Sequence, residues 1–154
     1  MEKSLALMLG GFIILFVIIF VIELVLYVLK SIGLYSLASN AGIQNSWLAW
    51  LPIGDMYILA KIVKTVDIGG YKVPRIELLL PIGAAAAFIL SPIPLLGTII
   101  CIAYAVLFYF ALYKLFYIYR PAQAVLWLIL SIVLFFTMPI FVFIMRNDRP
   151  INPV

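Results

Sequence analysis

The sequence predicts an all-α integral membrane protein. It forms a single domain of four transmembrane helices, with a broken amphipathic element, interfacial or re-entrant, between helices 1 and 2. Three observations carry this prediction. Of 154 residues, 68% are hydrophobic and 10% are charged, whereas a soluble domain is about a quarter charged. Water cannot solvate such a surface, so the solvent must largely be lipid. The apolar residues also fall in runs long enough to cross a bilayer. Finally, Trp, Pro, Gly, Asp, Tyr and Lys all gather in one short stretch, Asn45 to Lys64.

The first span is predicted over residues 5–29, a run of about 25 residues interrupted by one charge, Glu23. At ~1.5 Å per residue it crosses a ~30 Å hydrocarbon core with some tilt. It is longer than the core of a signal peptide, and Ser36-Leu37-Ala38 is a faint match to a cleavage site. Gly10-Gly11 permits close approach of another helix. Residues 30–44, with Gly33, Ser36, Ser39, Asn40 and Gly42, read as a connector.

The amphipathic element is predicted over 43–66 as two short helices around a break. Ile43, Trp47, Trp50 and Leu51 recur at helical spacing, and Pro52 and Gly54 interrupt the pattern. Asp55 is placed to cap a second helix whose apolar face is Met56, Leu59, Val63 and Val66. The alternative, a fifth span over 47–66, puts Asp55, Lys61 and Lys64 in hydrocarbon at ~2.5–3.5 kcal/mol each. Thr65 to Pro74, with Gly69-Gly70, reads as a turn outside the membrane.

The second span is predicted over 76–91, kinked at Pro81 and smoothed by Gly83 and Ala84 to Ala87 for close packing. Ser91 to Pro94 is an uncharged turn. The third span is predicted over 95–119 and the fourth over 122–145, with Pro121 at the first position of the fourth. Residues 146–154 are polar and are predicted to be irregular. No internal repeat supports an inverted-repeat transporter within one chain.

In this layout the stretch 30–75 and the turn 114–121 share one side and carry Lys30, Lys61, Lys64, Lys72, Arg75, Lys114 and Arg120. Lys3, Arg146 and Arg149 lie opposite. The larger set of cations marks the cytoplasmic side. The expectation is a multi-pass protein of the cell membrane, with the loop 30–75 cytoplasmic and both termini outside.

The core Trp47-Leu48-Ala49-Trp50-Leu51-Pro52-Ile53-Gly54-Asp55, preceded by Asn40-Ala41-Gly42, resembles small multi-pass membrane proteins of Gram-positive bacteria. These carry a Trp-Leu-Ala-Trp-[Ile/Leu]-Pro motif in the loop after the first span. The resemblance extends to Tyr113-Lys114, Tyr119-Arg120-Pro121 and Phe143 to Asn147. It implies the architecture and a bacterial host, and no activity.

The chemical inventory points away from catalysis. There is no histidine and a single cysteine, Cys101. That removes His-based acid–base chemistry, Cys-x-x-Cys redox and the common zinc sites. No serine has a base to activate it, and no carboxylate cluster has metal spacing, so no cofactor or metal is expected. Membrane enzymes of quinone–disulfide chemistry need cysteine pairs, which are missing. The clustered intramembrane polar residues of the glutathione- and eicosanoid-metabolising family have no counterpart. A net charge of +4 with no basic run among aromatics excludes a nucleic-acid groove.

Binding candidates remain. Glu23 lies inside the first span, where a carboxylate is costly and is a candidate proton or cation site. Small multidrug-resistance transporters also carry a Glu in their first helix, in shorter chains without such a loop. The bland alternative pairs Glu23 with a lysine of the amphipathic element; its own helical neighbours are Tyr27 and Lys30. Asp55 and Tyr57 are candidates for a headgroup amine or a cation, against a simple helix cap. Lys61, Lys64, Lys72 and Arg75 are candidates for lipid phosphates, against a bare topology signal. Trp47, Trp50, Tyr113 and Tyr117 read as interface anchors, and the stripe Tyr109, Tyr113, Tyr117 as packing rather than a groove. Glu77 and Lys114 are expected to pair and join spans two and three. The function expected is non-enzymatic: an accessory or interaction protein touching lipid headgroups, a partner membrane protein or another copy of itself. The alternative is a small oligomeric transporter or channel using Glu23 and Asp55.

Overall fold

Helix α1 (Glu2–Asn40) runs the length of the computed structural model, which describes residues 2–152. Its 39 residues measure about 58 Å at ~1.5 Å per residue. Nearly every residue from 7 to 25 is exposed, so this half stands clear of the remaining chain. From Leu26 onward the helix is packed. It continues past Leu29 through residues predicted to be a connector, because tertiary contact holds them. Gly33 is the clearest cause. A Cβ there would stand 2.7 Å from the carbonyl carbon and oxygen of Val142, so the missing side chain lets two helix backbones meet. Such close approach brings many atoms to contact distance, and dispersion summed over them attracts the two helices.

The amphipathic element consists of a short 3-10 helix (Ser46–Trp50) and helix α2 (Gly54–Val63), around a break at Leu51, Pro52 and Ile53. The break falls where predicted, at Pro52, but the first half is a five-residue 3-10 helix rather than an α-helical face running from Ile43 to Leu51. Helix α2 buries more than its predicted stripe: Ile58, Leu59, Ala60, Ile62 and Val63 are all in the core. Strands β1 (Val66–Ile68) and β2 (Tyr71–Val73) follow as an antiparallel hairpin, with Asp67 opposite Lys72. Both turn residues, Gly69 and Gly70, have positive φ (60° and 89°), the conformation a tight two-residue hairpin requires.

Helix α3 (Ile76–Leu90) and helix α4 (Leu96–Tyr119) form a hairpin around the uncharged turn. Gly83 of α3 faces Tyr104 of α4, and a Cβ would stand 2.9 Å from the ring. The half of α4 nearest its end is the core of the molecule, with Leu112, Leu115 and Phe116 fully buried.

The stretch 122–145 is not one span. It folds into helix α5 (Ala124–Val133) and helix α6 (Thr137–Ile144), which double back on each other. Trp127 stacks on Phe141 with ring centroids 4.5 Å apart, and both meet Phe116 edge-on. In one continuous helix Trp127 and Phe141 would be separated by about 21 Å. Pro139 explains where the break falls. In an unbroken helix its ring would clash with the carbonyl of Phe135 and its nitrogen could donate no bond. As the third residue of a new helix it needs no donor.

Doubling back moves residues 146–152. The sequence placed Arg146 and Arg149 opposite the stretch 30–75, but the structure brings them to the same end. Asn40 Nδ2 donates to the carbonyl of Arg146 at 3.2 Å. The N–H of Ile151 donates to the carbonyl of Ile118 at 2.8 Å. One end of the molecule thus collects the close of α1, the β-hairpin, the start of α3, the close of α4 and residues 145–152. Two helices, α1 and α4, are long and apolar enough to cross a membrane. At 15, 10 and 8 residues, α3, α5 and α6 are shorter.

Candidate functional site

The break in the amphipathic element is held from both sides by one face of α1. Tyr27 and Lys30 are three residues apart and so share that face. The Tyr27 hydroxyl donates to the carbonyl of Trp50 at 2.7 Å, satisfying the end of the 3-10 helix. The Lys30 ammonium donates to Asp55 Oδ2 at 2.5 Å. The other carboxylate oxygen, Oδ1, accepts the N–H of Met56 at 2.8 Å, in the first turn of α2. Asp55 is not the cap predicted for it: the cap position is Ile53, which makes no side-chain cap bond, and Asp55 lies inside the first turn of α2, where it carries an ion pair to α1. Its side chain is 4% exposed and that of Lys30 is 16% exposed, so the pair is withdrawn from solvent. Lys30 also lies 5.2 Å from the centre of the Tyr27 ring. Gly54 completes the bend. A Cβ there would stand 2.5 Å from the carbonyl oxygen of Leu48, so glycine allows the two half-helices to abut.

Tyr27 and Lys30 were not singled out as functional residues. Their signal was present, since both lie on one helical face with Glu23. Glu23 itself is exposed on the free-standing half of α1, and none of the clefts described below reaches it. Lys30 pairs with Asp55 rather than with Glu23.

A cleft of about 800 Å³ opens beside the element at the charged end. Gln44, Asn45, Tyr57, Lys61, Lys64 and Arg75 form its polar wall, and Glu77 sits at its edge. Three cations against one carboxylate leave it positive. Lys61 bonds Glu77 Oε2 at 2.9 Å and lies 5.4 Å from the Tyr57 ring centre. The predicted Glu77–Lys114 pair is therefore replaced. Glu77 is in the first turn of α3, which packs on α2 and so meets Lys61. The Glu77 carboxylate, and after it Tyr57, hold the Lys61 ammonium above its ordinary pKa of 10.5.

The cleft continues along the charged end. Lys61 and Lys64 also line a narrow passage with Ala41, Tyr119 and Pro150. That passage meets a hollow of about 670 Å³ walled by Asn40, Asn147, Asp148 and Arg149. Arg120 closes this side, with Nε 2.6 Å from Asp148 Oδ2 and its guanidinium 5.3 Å from the Trp127 ring. Asp148 holds the Arg120 pKa above its ordinary value.

Among the predicted anchors, Trp47 and Trp50 point outward, 56% and 43% exposed. Tyr113 and Tyr117 lie with ring centroids 6.1 Å apart on α4. Tyr109 and Tyr113 border an apolar groove between α4 and α5 rather than serving as packing alone. Lys114 is half-buried near the end of α4. The structure thus joins Asp55 to Lys30, and gathers Tyr57, Lys61, Lys64 and Glu77 in one cleft. Compared with family models, curated proteins and solved structures, the chain finds no match.

Proposed function

We propose that this protein is a non-enzymatic membrane accessory protein that binds the anionic headgroups of lipids on the cytoplasmic face. The observation that supports this is the positive cleft of Tyr57, Lys61, Lys64 and Arg75 beside outward-facing Trp47 and Trp50. Lysine and arginine near an anionic surface contribute ~1 kcal/mol each, and Trp settles at headgroup level.

The membrane disposition in this reading follows from charge. Nine of the ten Lys and Arg residues lie towards one end, and Lys3 lies at the start of α1. The positive-inside rule makes that end cytoplasmic. Helices α1 and α4 cross, and α3 completes a hairpin with α4. Helices α5 and α6 enter and leave on the same side, because 10 residues rise about 15 Å, half of a ~30 Å core. Residues 146–152 are then cytoplasmic, with the loop 30–75. The element 43–66 dips into the cytoplasmic leaflet as a bent clamp, tied to α1 by Lys30–Asp55. A partner membrane protein seated on the same face is compatible with this reading. The Gram-positive resemblance is consistent with such a role in a cell membrane.

The test is lipid retention. The protein is purified from phosphatidylglycerol-rich membranes, and bound lipid is counted by native mass spectrometry. Replacing Lys61, Lys64 and Arg75 together by Gln is expected to strip retained phosphatidylglycerol while the fold survives. Retention equal to wild type rejects the cleft as a headgroup site.

A further inference from the structure

The groove between α4 and α5 lies apart from the headgroup cleft. It is bordered by Ile102, Val106, Tyr109 and Tyr113 of α4, and by Leu128 and Ile132 of α5, with Ala105 among its lining residues. Its volume is about 540 Å³, within the roughly 300–1,000 Å³ typical of ligand pockets. From Ile102 to Tyr113 it follows α4 for about 16 Å, the length of a fatty-acyl segment. Its rim is apolar and open, with Ile102 and Ile132 more than half exposed.

One end of this groove differs chemically from the other. The Ile102 end lies in the second turn of α4 and carries no charge. The Tyr113 end approaches the charged end of the molecule. Lys114 does not itself line the groove, but it follows Tyr113 in the chain and stands one turn beyond Phe110, which also borders the groove. Lys114 is half-buried. Among the described residues it makes no ion pair or hydrogen bond. Glu77, its expected partner, is bound to Lys61. An ammonium on a flexible stem, at the end of an apolar trough and at the depth where helices leave the membrane, complements one ligand class. That class has an acyl chain joined to a negative headgroup.

We infer that the α4–α5 groove is a binding site for an anionic phospholipid. One acyl chain lies along Val106, Tyr109 and Ile132, and the phosphate meets the Lys114 ammonium. Lysine reaches the interface by extending its stem along apolar surface, so the chain can stay in the hydrocarbon while the charge pair forms at its boundary. This inference rests on α4 crossing the membrane and does not rest on the headgroup cleft.

The experiment uses the full chain in nanodiscs containing spin-labelled phosphatidylglycerol or phosphatidylcholine, read by the immobilised fraction in electron paramagnetic resonance. Wild type is expected to immobilise phosphatidylglycerol preferentially. Ala105→Phe fills the groove and is expected to remove the extra immobilised component. Val106→Trp blocks it from the exposed rim and covers the case in which Ala105→Phe does not fold. Lys114→Gln is expected to keep immobilisation but cut the preference for phosphatidylglycerol about fivefold, the worth of one interfacial lysine. The Lys61/Lys64/Arg75→Gln protein is expected to retain this signal, which separates the two sites. An unchanged immobilised fraction in both blocking variants overturns the inference, as does an unchanged preference in Lys114→Gln. It is also overturned if blocking the groove instead dissociates an oligomer, which would make the groove a contact between copies.

Discussion

Replacing Asp55 by Ala tests the clamp most directly. The substitution removes both carboxylate oxygens. The Lys30 ammonium, 16% exposed and 2.5 Å from Oδ2, then has no counter-charge in a site shielded from water. The Met56 N–H loses one of its two acceptors at the same time and keeps the carbonyl of Ile53. Removing one partner of a buried pair costs ~3–5 kcal/mol, mostly the penalty of the charge left behind. A carboxylate in the first turn of a helix adds ~0.3–1 kcal/mol. The expected loss is therefore about 4 kcal/mol, close to a thousandfold in the folding equilibrium. Equilibrium unfolding in mixed dodecyl maltoside and dodecyl sulfate micelles measures it. Tryptophan emission is a suitable signal, since Trp47 and Trp50 ride on the element. The companion is Lys30→Met with Asp55→Leu, which removes both charges and fills the space. That double variant is expected within ~1–2 kcal/mol of wild type, because desolvating the pair offsets much of its attraction. The reasoning is refuted if Asp55→Ala unfolds within about 1 kcal/mol of wild type, or if the double variant is as unstable as the single one.

Gly33→Ala is expected to destabilise by ~1–3 kcal/mol or more, since its Cβ would press on the backbone of Val142; the same unfolding assay measures it. Ser131 is 1% exposed and its hydroxyl has no hydrogen-bond partner among the described residues, so Ser131→Ala is expected to be neutral or to stabilise by up to ~1 kcal/mol in that assay. The raised pKa of Lys61 gives a stability term fully present below pH 10.5 and lost as pH climbs through the higher folded value. Melting curves between about pH 9 and 12 should therefore fall more steeply for wild type than for Glu77→Gln. For topology, single cysteines at Asp67 and Asn152 in a Cys101→Ala background should react with an impermeant maleimide from the same side of sealed vesicles, and one at Lys3 from the other. Protection of position 152 from the side that labels 67 would contradict the doubled-back α5 and α6.

The local signals in the sequence were strong because they are sums over neighbours. Hydropathy accumulates over consecutive residues, so the apolar helices α1, α3 and α4 could be read before any contact was known. The bend at Pro52-Gly54 was legible too, since proline and glycine act on their own backbone. The pairings were not. Asp55 finds Lys30 across 25 residues, and Glu77 chooses Lys61 over Lys114, because packing of α2 on α1 and α3 decides which charges meet. The apolar run 122–145 reads as one span by hydropathy, which cannot distinguish a crossing helix from two that double back. Pro139 was a hint, but only the cluster of Phe116, Trp127 and Phe141 fixes the return. By itself the sequence determined the helical class of fold, its long apolar helices and the bend at Pro52, which depend on transfer free energies and local backbone preference. The tertiary structure alone decided which charges pair and on which end residues 146–152 lie. Both depend on contacts between residues far apart in the chain, and no local sum contains them.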